Sequence, residues 1–431
     1  MGKVGERVKV ITAEGEEEGI LMPSADEDAV IIKLDNGYNI GFEKKKVKKI
    51  SVLEAAKSEH KQVAEKLVKD DSKPTIAILH TGGTIASKVD YRTGGVASLF
   101  DAQELINLFP ELKNIANIES ELIAQMWSDD LRFAHCSLIA ETIQKWVEKG
   151  VTGIIIGIGT DNLAVGAAAV SFIIEKSPIP IVFVGAQRSS DRGSSDAAMN
   201  LISAAKFVVE TDFAGVAICM HEGAGDNFCS ILPANKTYKL HSSRRDAFKA
   251  VNSDAIAKIN YETKEIKYLQ DNYPRREEKL IIKPKMEEKV GLLKIHVNMF
   301  PEQFEFFRKE KYKGLIIEGT GLGHTPGQVP NELCKIHSGI YPALQKLIKS
   351  GCVVVMTTQC IFGAVNMNVY DKGRDLLNLG IISGKDMLAN TALVKLSWLL
   401  ANYSKEETEK MISENLRGEI NPQLSYEEEF I

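Results

Sequence analysis

A chain of 431 residues is longer than one hydrophobic core usually serves, so two or three domains are expected. Its hydrophobic share of 44% is ordinary for a globular protein, and a net charge of −5 excludes nucleic-acid binding driven by bulk charge, leaving only local contacts. Six cysteines without a C-x-x-C pair argue against a zinc site and read as buried thiols in a reducing compartment.

The amino-terminal "MGKVGERVKV" lacks an apolar signal region, and no stretch reaches the roughly 18 apolar residues of a membrane span. The expectation is a soluble, cytoplasmic protein. Residues 1–55 alternate short β-rich runs with turns, among them the hairpin signal Asn36-Gly37, and are expected to form a small SH3-like β-barrel. The lysines of "FEKKKVKKI", Lys44 to Lys46 with Lys48 and Lys49, suit a guarded sheet edge or a phosphate-contacting patch. A helical linker over 56–73 follows, ending near Pro74.

After Pro74, "TIAIL", "GIIIGIG", "IPIVFVG" and "FAGVAICM" are near-continuous apolar runs, each followed by a polar or glycine-bearing stretch. Strands buried on both faces, joined by crossover helices, predict a doubly wound, mostly parallel sheet in a large α/β domain over 74–275. A charged, proline-containing junction leads to a second series, "VGLLKI", "YKGLIIEG" and "GCVVVMTT", in a smaller α/β domain over 290–404. The stretch 387–402 reads as a packed helix, and 405–431 as a charged tail carrying a surface helix.

In such a sheet, ligands gather beyond the carboxyl ends of the strands. Thr81 and Thr84 follow the first run, in "LHTGGTIASK"; Thr160 and Asp161 follow the second, in "IGIGTDNLAV". A threonine hydroxyl there is either a nucleophile, which needs an adjacent base, or an ordinary turn residue. Asp161 is either a helix N-cap or part of a site. Lys236 and Lys239 are candidate bases, and nothing local separates them. His221 in "HEGAGDNF" lacks the second histidine of a zinc helix. Gly319, Gly321 and Gly323 do not form a dinucleotide fingerprint, and no G-x-x-x-x-G-K-[ST] loop exists. No metal or cofactor is expected in this chain.

The motifs "TGGTIA" (81–86) and "GTDN" (159–162), in that order on successive strand ends, resemble the two signatures of the bacterial-type L-asparaginase and glutaminase family. Supporting matches run through "VGAQRSSDRGSSDAAMNL" and "YKLHSSRRDAF". The resemblance implies amide cleavage through a threonine acyl-enzyme, with Thr84, Thr160, Asp161 and Lys239 as catalytic residues. The lysine is selected by its place nine residues before Phe248. It also implies Gly83, Gly159 and Ser128 at the substrate. The family's carboxylate-binding serine falls at Ala124, with Ser128 nearby to substitute. The mobile-loop tyrosine has Tyr91 close by, although spacing favours Gly95 or Val96.

The amino-terminal barrel, with "ASKVDYRTGGV" and residues 359–400, is similar to the family of archaeal D subunits of glutamyl-tRNA(Gln) amidotransferase. That resemblance implies release of ammonia from glutamine or asparagine for an E subunit, which activates tRNA-bound glutamate with ATP and Mg. It further implies a homodimer inside a heterotetramer, with tRNA(Gln) held mainly by the partner. Two other readings share the residues: a free-standing cytoplasmic L-asparaginase, and a catalytically silent scaffold or RNA-binding module.

Overall fold

The computed structural model describes the chain apart from residues 1, 25, 27, 35–38, 55–68, 83–86, 90–95, 99–101, 189–193 and 425–431. The Asn36-Gly37 hairpin, residues 56–68 of the 56–73 linker, Gly83, Thr84, Tyr91 and Gly95 lie outside the described residues.

Five amino-terminal strands form one antiparallel sheet in the order Asn39–Glu43, Ala29–Lys33, Glu16–Met22, Arg7–Ile11, Lys49–Glu54. Alternation sends Val8, Val10, Val30 and Ile32 inward, where with Leu21 they build a small core of their own. The lysine run occupies a short 3-10 turn at Lys44–Lys46 and the start of the last strand.

The body is an eight-stranded mixed sheet. From one edge its order is Ile266–Tyr268, Ala257–Asn260, Phe228–Pro233, Gly215–His221, Pro180–Val184, Gly153–Gly157, Thr75–His80, Asn117–Leu122. The last five strands of that order run parallel, and the first three add antiparallel hairpins. Its central strands read as continuous apolar runs because both faces are covered. Ile154 and Ile156 face helices Phe133–Glu148 and Leu163–Ile173, while Ile155 faces helix Ala197–Glu210.

A second parallel sheet, Val290–Lys294, Gly314–Gly319, Val353–Thr358 and Ile382–Ser383, carries the helices of the carboxyl-terminal part. One core joins the two α/β units: helix Leu163–Ile173 packs on helix Ala389–Asn402, with the Phe172 and Trp398 rings 6.0 Å apart.

Two expectations change. Beyond the short helix Lys405–Met411 the charged stretch turns inward: Ile412 and Glu419 are fully buried, and Glu419 meets buried Lys395 at 2.6 Å. A solvated charge run and a buried ion pair have the same composition, so the sequence does not separate them. The cysteines are all free, but only Cys136, Cys219, Cys229 and Cys352 are buried; Cys334 is half-buried and Cys360 exposed.

Candidate active site

The site forms where three adjacent parallel strands end level with one another. In the pairing register Gly157 stands opposite both His80 and Val184. Thr81 N then donates to Gly157 O at 3.0 Å and Ile158 N to Val184 O at 3.1 Å, so three loops leave the sheet side by side. Thr81 itself is buried. Gly82 adopts φ +89°, a left-handed conformation that only glycine takes without strain.

The middle loop carries Ile158, Gly159, Thr160 and Asp161. Two other segments approach it so closely that side chains would not fit. A Cβ on Gly159 would lie 2.8 Å from Ser128 Oγ, and one on Gly185 would lie 2.9 Å from Thr160 Cγ2. Ser128 is buried; its Oγ accepts from Asn162 N at 3.4 Å and its carbonyl from Asn162 Nδ2 at 2.7 Å. The contacts of Gly159 and Ser128 thus brace the loop. Ala124 is half-buried on the preceding segment.

Asp161 is not the helix cap. Asn162 takes that position, without a side-chain cap bond, and the Asp161 carboxylate faces Lys239 instead. Lys239 ends the strand Thr237–Lys239, which pairs with Phe248–Ala250 so that Lys239 stands directly opposite buried Phe248. The turn before that strand is pinned by Ser171 Oγ to Asn235 Oδ1 at 2.9 Å and by Thr391 Oγ1 to Asn235 O at 3.0 Å. From this fixed strand Lys239 Nζ donates to Thr160 Oγ1 at 2.9 Å and to Asp161 Oδ1 at 2.8 Å. Its side chain is 14% exposed, whereas that of Asp161 is 71% exposed and open to a cationic ligand group.

Lys236, the other candidate base, points away. It is buried and meets Asp386 Oδ2 at 2.5 Å; burial pushes its amine below the ordinary lysine value, against the pull of Asp386. His221 is also buried, with Nδ1 held by Asn200 Oδ1 at 2.6 Å, and among the described residues no cluster of His, Cys, Asp or Glu fits a metal.

The structure therefore brings together three of the four residues singled out for catalysis, Thr160, Asp161 and Lys239; Thr84 lies outside the described residues. A hydroxyl within hydrogen-bond reach of an amine, and that amine oriented by a carboxylate, is a proton-relay geometry. Gln187 also reaches Thr160, with Oε1 3.4 Å from Oγ1, and the sequence reading missed it. Its signals were its place just beyond an apolar strand and inside the family-like stretch "VGAQRSSDRGSSDAAMNL".

The fold defines an α/β body of asparaginase type. Family models match in three stretches: the asparaginase amino-terminal domain over 75–273, the glutaminase/asparaginase carboxyl-terminal domain over 289–412, and the GatD amino-terminal domain over 3–53. Among solved structures, the thermostable L-asparaginase from Thermococcus kodakarensis superposes with a TM-score of 0.71 at 27% identity, covering 81% of this chain and 100% of that one. L-asparaginase I from Vibrio cholerae gives 0.69 at 25% identity, covering 81% of this chain and 99% of that one.

Full-length relatives are more specific. The D subunit of glutamyl-tRNA(Gln) amidotransferase from Methanococcus maripaludis is 42% identical over 98% of this chain and 99% of its own. That of Pyrococcus furiosus is 43% identical over 97% of this chain and 95% of its own. The chain belongs to the family of glutamyl-tRNA(Gln) amidotransferase D subunits, enzymes of tRNA-dependent amidotransfer. Among the described residues no helix is long and apolar enough to cross a membrane.

Proposed function

We propose that this chain releases ammonia from the side-chain carboxamide of glutamine or asparagine through a threonine acyl-enzyme. The ammonia passes to an E subunit that converts Glu-tRNA(Gln) to Gln-tRNA(Gln). The observation that carries the reading is Lys239 Nζ between Thr160 Oγ1 and Asp161 Oδ1, at 2.9 and 2.8 Å.

In this reading a threonine hydroxyl attacks the carboxamide carbon, and Thr84 is the one assigned to do so. As Thr84 attacks, its proton enters the relay through Thr160, which passes a proton on to Lys239 as the accepting base while Asp161 orients the amine; the C–N bond then breaks with that proton delivered to the departing ammonia. Water, activated by the same relay, then frees the acid and restores the hydroxyl. Backbone N–H groups beside Gly83 and Thr160 serve as oxyanion donors. The exposed Asp161 carboxylate also suits the α-ammonium of an amino-acid substrate.

Activating a carboxylate needs ATP and Mg, and this sequence has no Walker-type phosphate loop, so that step is assigned to the partner. Assembly as a homodimer within a heterotetramer, with tRNA(Gln) held mainly by the partner, completes the proposal. The decisive experiment measures Gln-tRNA(Gln) formation by the reconstituted pair with glutamine, asparagine or ammonium chloride as nitrogen source. Lys239→Leu is expected to abolish the first two and keep the third. Loss of all three together contradicts the division of labour. A free-standing L-asparaginase, which the solved neighbours favour, is the alternative; robust hydrolysis without partner or tRNA supports it.

A further inference from the structure

Gln187 leaves the strand Pro180–Val184 through Gly185 and Ala186, and the reaction above gives it no part. Its loop is a rigid platform. Gln187 N and Arg188 N each donate to Asp196 at 3.0 Å, one to each carboxylate oxygen. Asp196 is fully buried and is held in turn by Asn200 Nδ2 at 3.1 Å, which also donates to Gly185 O at 3.0 Å. The side chain leaving this platform therefore has a fixed origin.

It reaches the reacting hydroxyl, with Oε1 3.4 Å from Thr160 Oγ1. Lys239 fixes the direction of that bond. Because Lys239 Nζ donates to Thr160 Oγ1, the hydrogen of the threonine turns to another acceptor, and among the described residues the carboxamide oxygen of Gln187 is in reach. With Oε1 committed to Thr160, Nε2 beside it is covered from solvent, and no partner for it stands among the described residues. A buried N–H without an acceptor carries a desolvation cost that a native structure rarely accepts without a use for the group.

We infer that Gln187 is a positioning and specificity-determining residue of this site. Its carboxamide oxygen holds the Thr160 hydroxyl, and its free N–H donates to an oxygen of the bound amino-acid amide. The inference rests on the reading of Thr160 and Lys239 as the relay. In the resting state the Thr160 hydrogen is turned to Gln187 and away from the amine. Transfer begins when Lys239 takes that hydrogen, which breaks the bond to Gln187 Oε1. The two ends of one carboxamide thus touch different partners, and the two contacts act on different kinetic constants.

The test uses the full chain with glutamine and asparagine, measuring ammonia at varied substrate concentration. Gln187→Met keeps the length and removes both contacts. The expected result is a kcat lower by roughly tenfold or more, with a raised KM. Gln187→Glu restores an acceptor for Thr160 without the N–H, so kcat is expected to recover while KM stays raised. Wild-type kcat and KM in Gln187→Met overturn the inference. Should Gln187→Met not fold, a wild-type KM in Gln187→Glu overturns it equally. Thr160→Val separates the two levels: if it still releases ammonia, the relay reading falls, and if it is inactive while Gln187→Met behaves as wild type, only the present inference falls.

Discussion

Lys236 and Lys239 stand three residues apart on one short segment and pair with carboxylates in different places: Lys236 with Asp386 at 2.5 Å, Lys239 with Asp161 at 2.8 Å. The first pair is buried on both sides and ties the large α/β unit to the carboxyl-terminal one; the second borders a threonine hydroxyl. Substitution should separate stability from catalysis. Lys236→Met leaves Asp386 as an uncompensated buried charge, so about 3–5 kcal/mol of stability is expected to be lost. Lys239→Leu is expected to melt near the wild-type temperature and to lose ammonia release by roughly 10²–10⁴-fold. Denaturant titration and an ammonia assay on both variants decide the matter, and the reverse pattern would exchange the two assignments.

The hydroxyls can be separated in the same way. Thr160→Val removes the group 2.9 Å from Lys239 Nζ while keeping the branched shape that packs against Gly185. Thr84→Val removes the proposed nucleophile. Both variants should lose ammonia release, and Thr84→Val, which lacks the attacking oxygen, should form no covalent acyl-enzyme at all. Rapid acid quench with labelled glutamine, followed by mass spectrometry of the intact chain, reads this out. A trapped acyl adduct in Thr84→Val would move the attack to another residue.

Much of this architecture is legible in the sequence, for a physical reason. Strands covered on both faces must be apolar at every position, so Ile154, Ile155 and Ile156 announce a parallel core strand even though they face different cores. The edge strand Asn117–Leu122 has no such run, because most of its residues are half-buried and they include Asn117, Glu119 and Glu121. Lys236 and Lys239 look alike locally, since only the fold chooses their partners. Gln187 and the buried pair of Lys395 with Glu419 escape sequence reading for the same reason: each gains its meaning from residues far along the chain.

The amino-terminal sheet supplies a third prediction. Its core, Val8, Val10, Leu21, Val30 and Ile32, is separate from the clusters of the α/β units. Its family match, 3–53, is likewise distinct from the one that begins at 75. A chain starting at Ser72 is therefore expected to fold and to release ammonia, because the Thr160, Asp161 and Lys239 cluster is built entirely from later elements. Coupling to tRNA or to the partner subunit should weaken. Circular dichroism, the ammonia assay and Gln-tRNA(Gln) formation test the three statements in turn, and an unfolded truncated chain would make the sheet a structural necessity.

Thiol chemistry gives the last. A thiolate, not a thiol, reacts with alkylating reagents, and burial in apolar surroundings both hides the sulfur and disfavours its charged form. Burial pushes the Cys136 and Cys352 thiols up to about 12. Cys360 is exposed on the loop after the strand Val353–Thr358, and Cys334 is half-buried in the 3-10 segment Glu332–Gly339. Brief treatment of the native chain with iodoacetamide should therefore label Cys360 first and Cys334 more slowly, with Cys136 and Cys352 reacting only after unfolding. Peptide mapping gives the order directly. Because Cys360 lies outside the cluster around Thr160, ammonia release should survive its alkylation, and inactivation in step with Cys360 labelling would place that loop at the site.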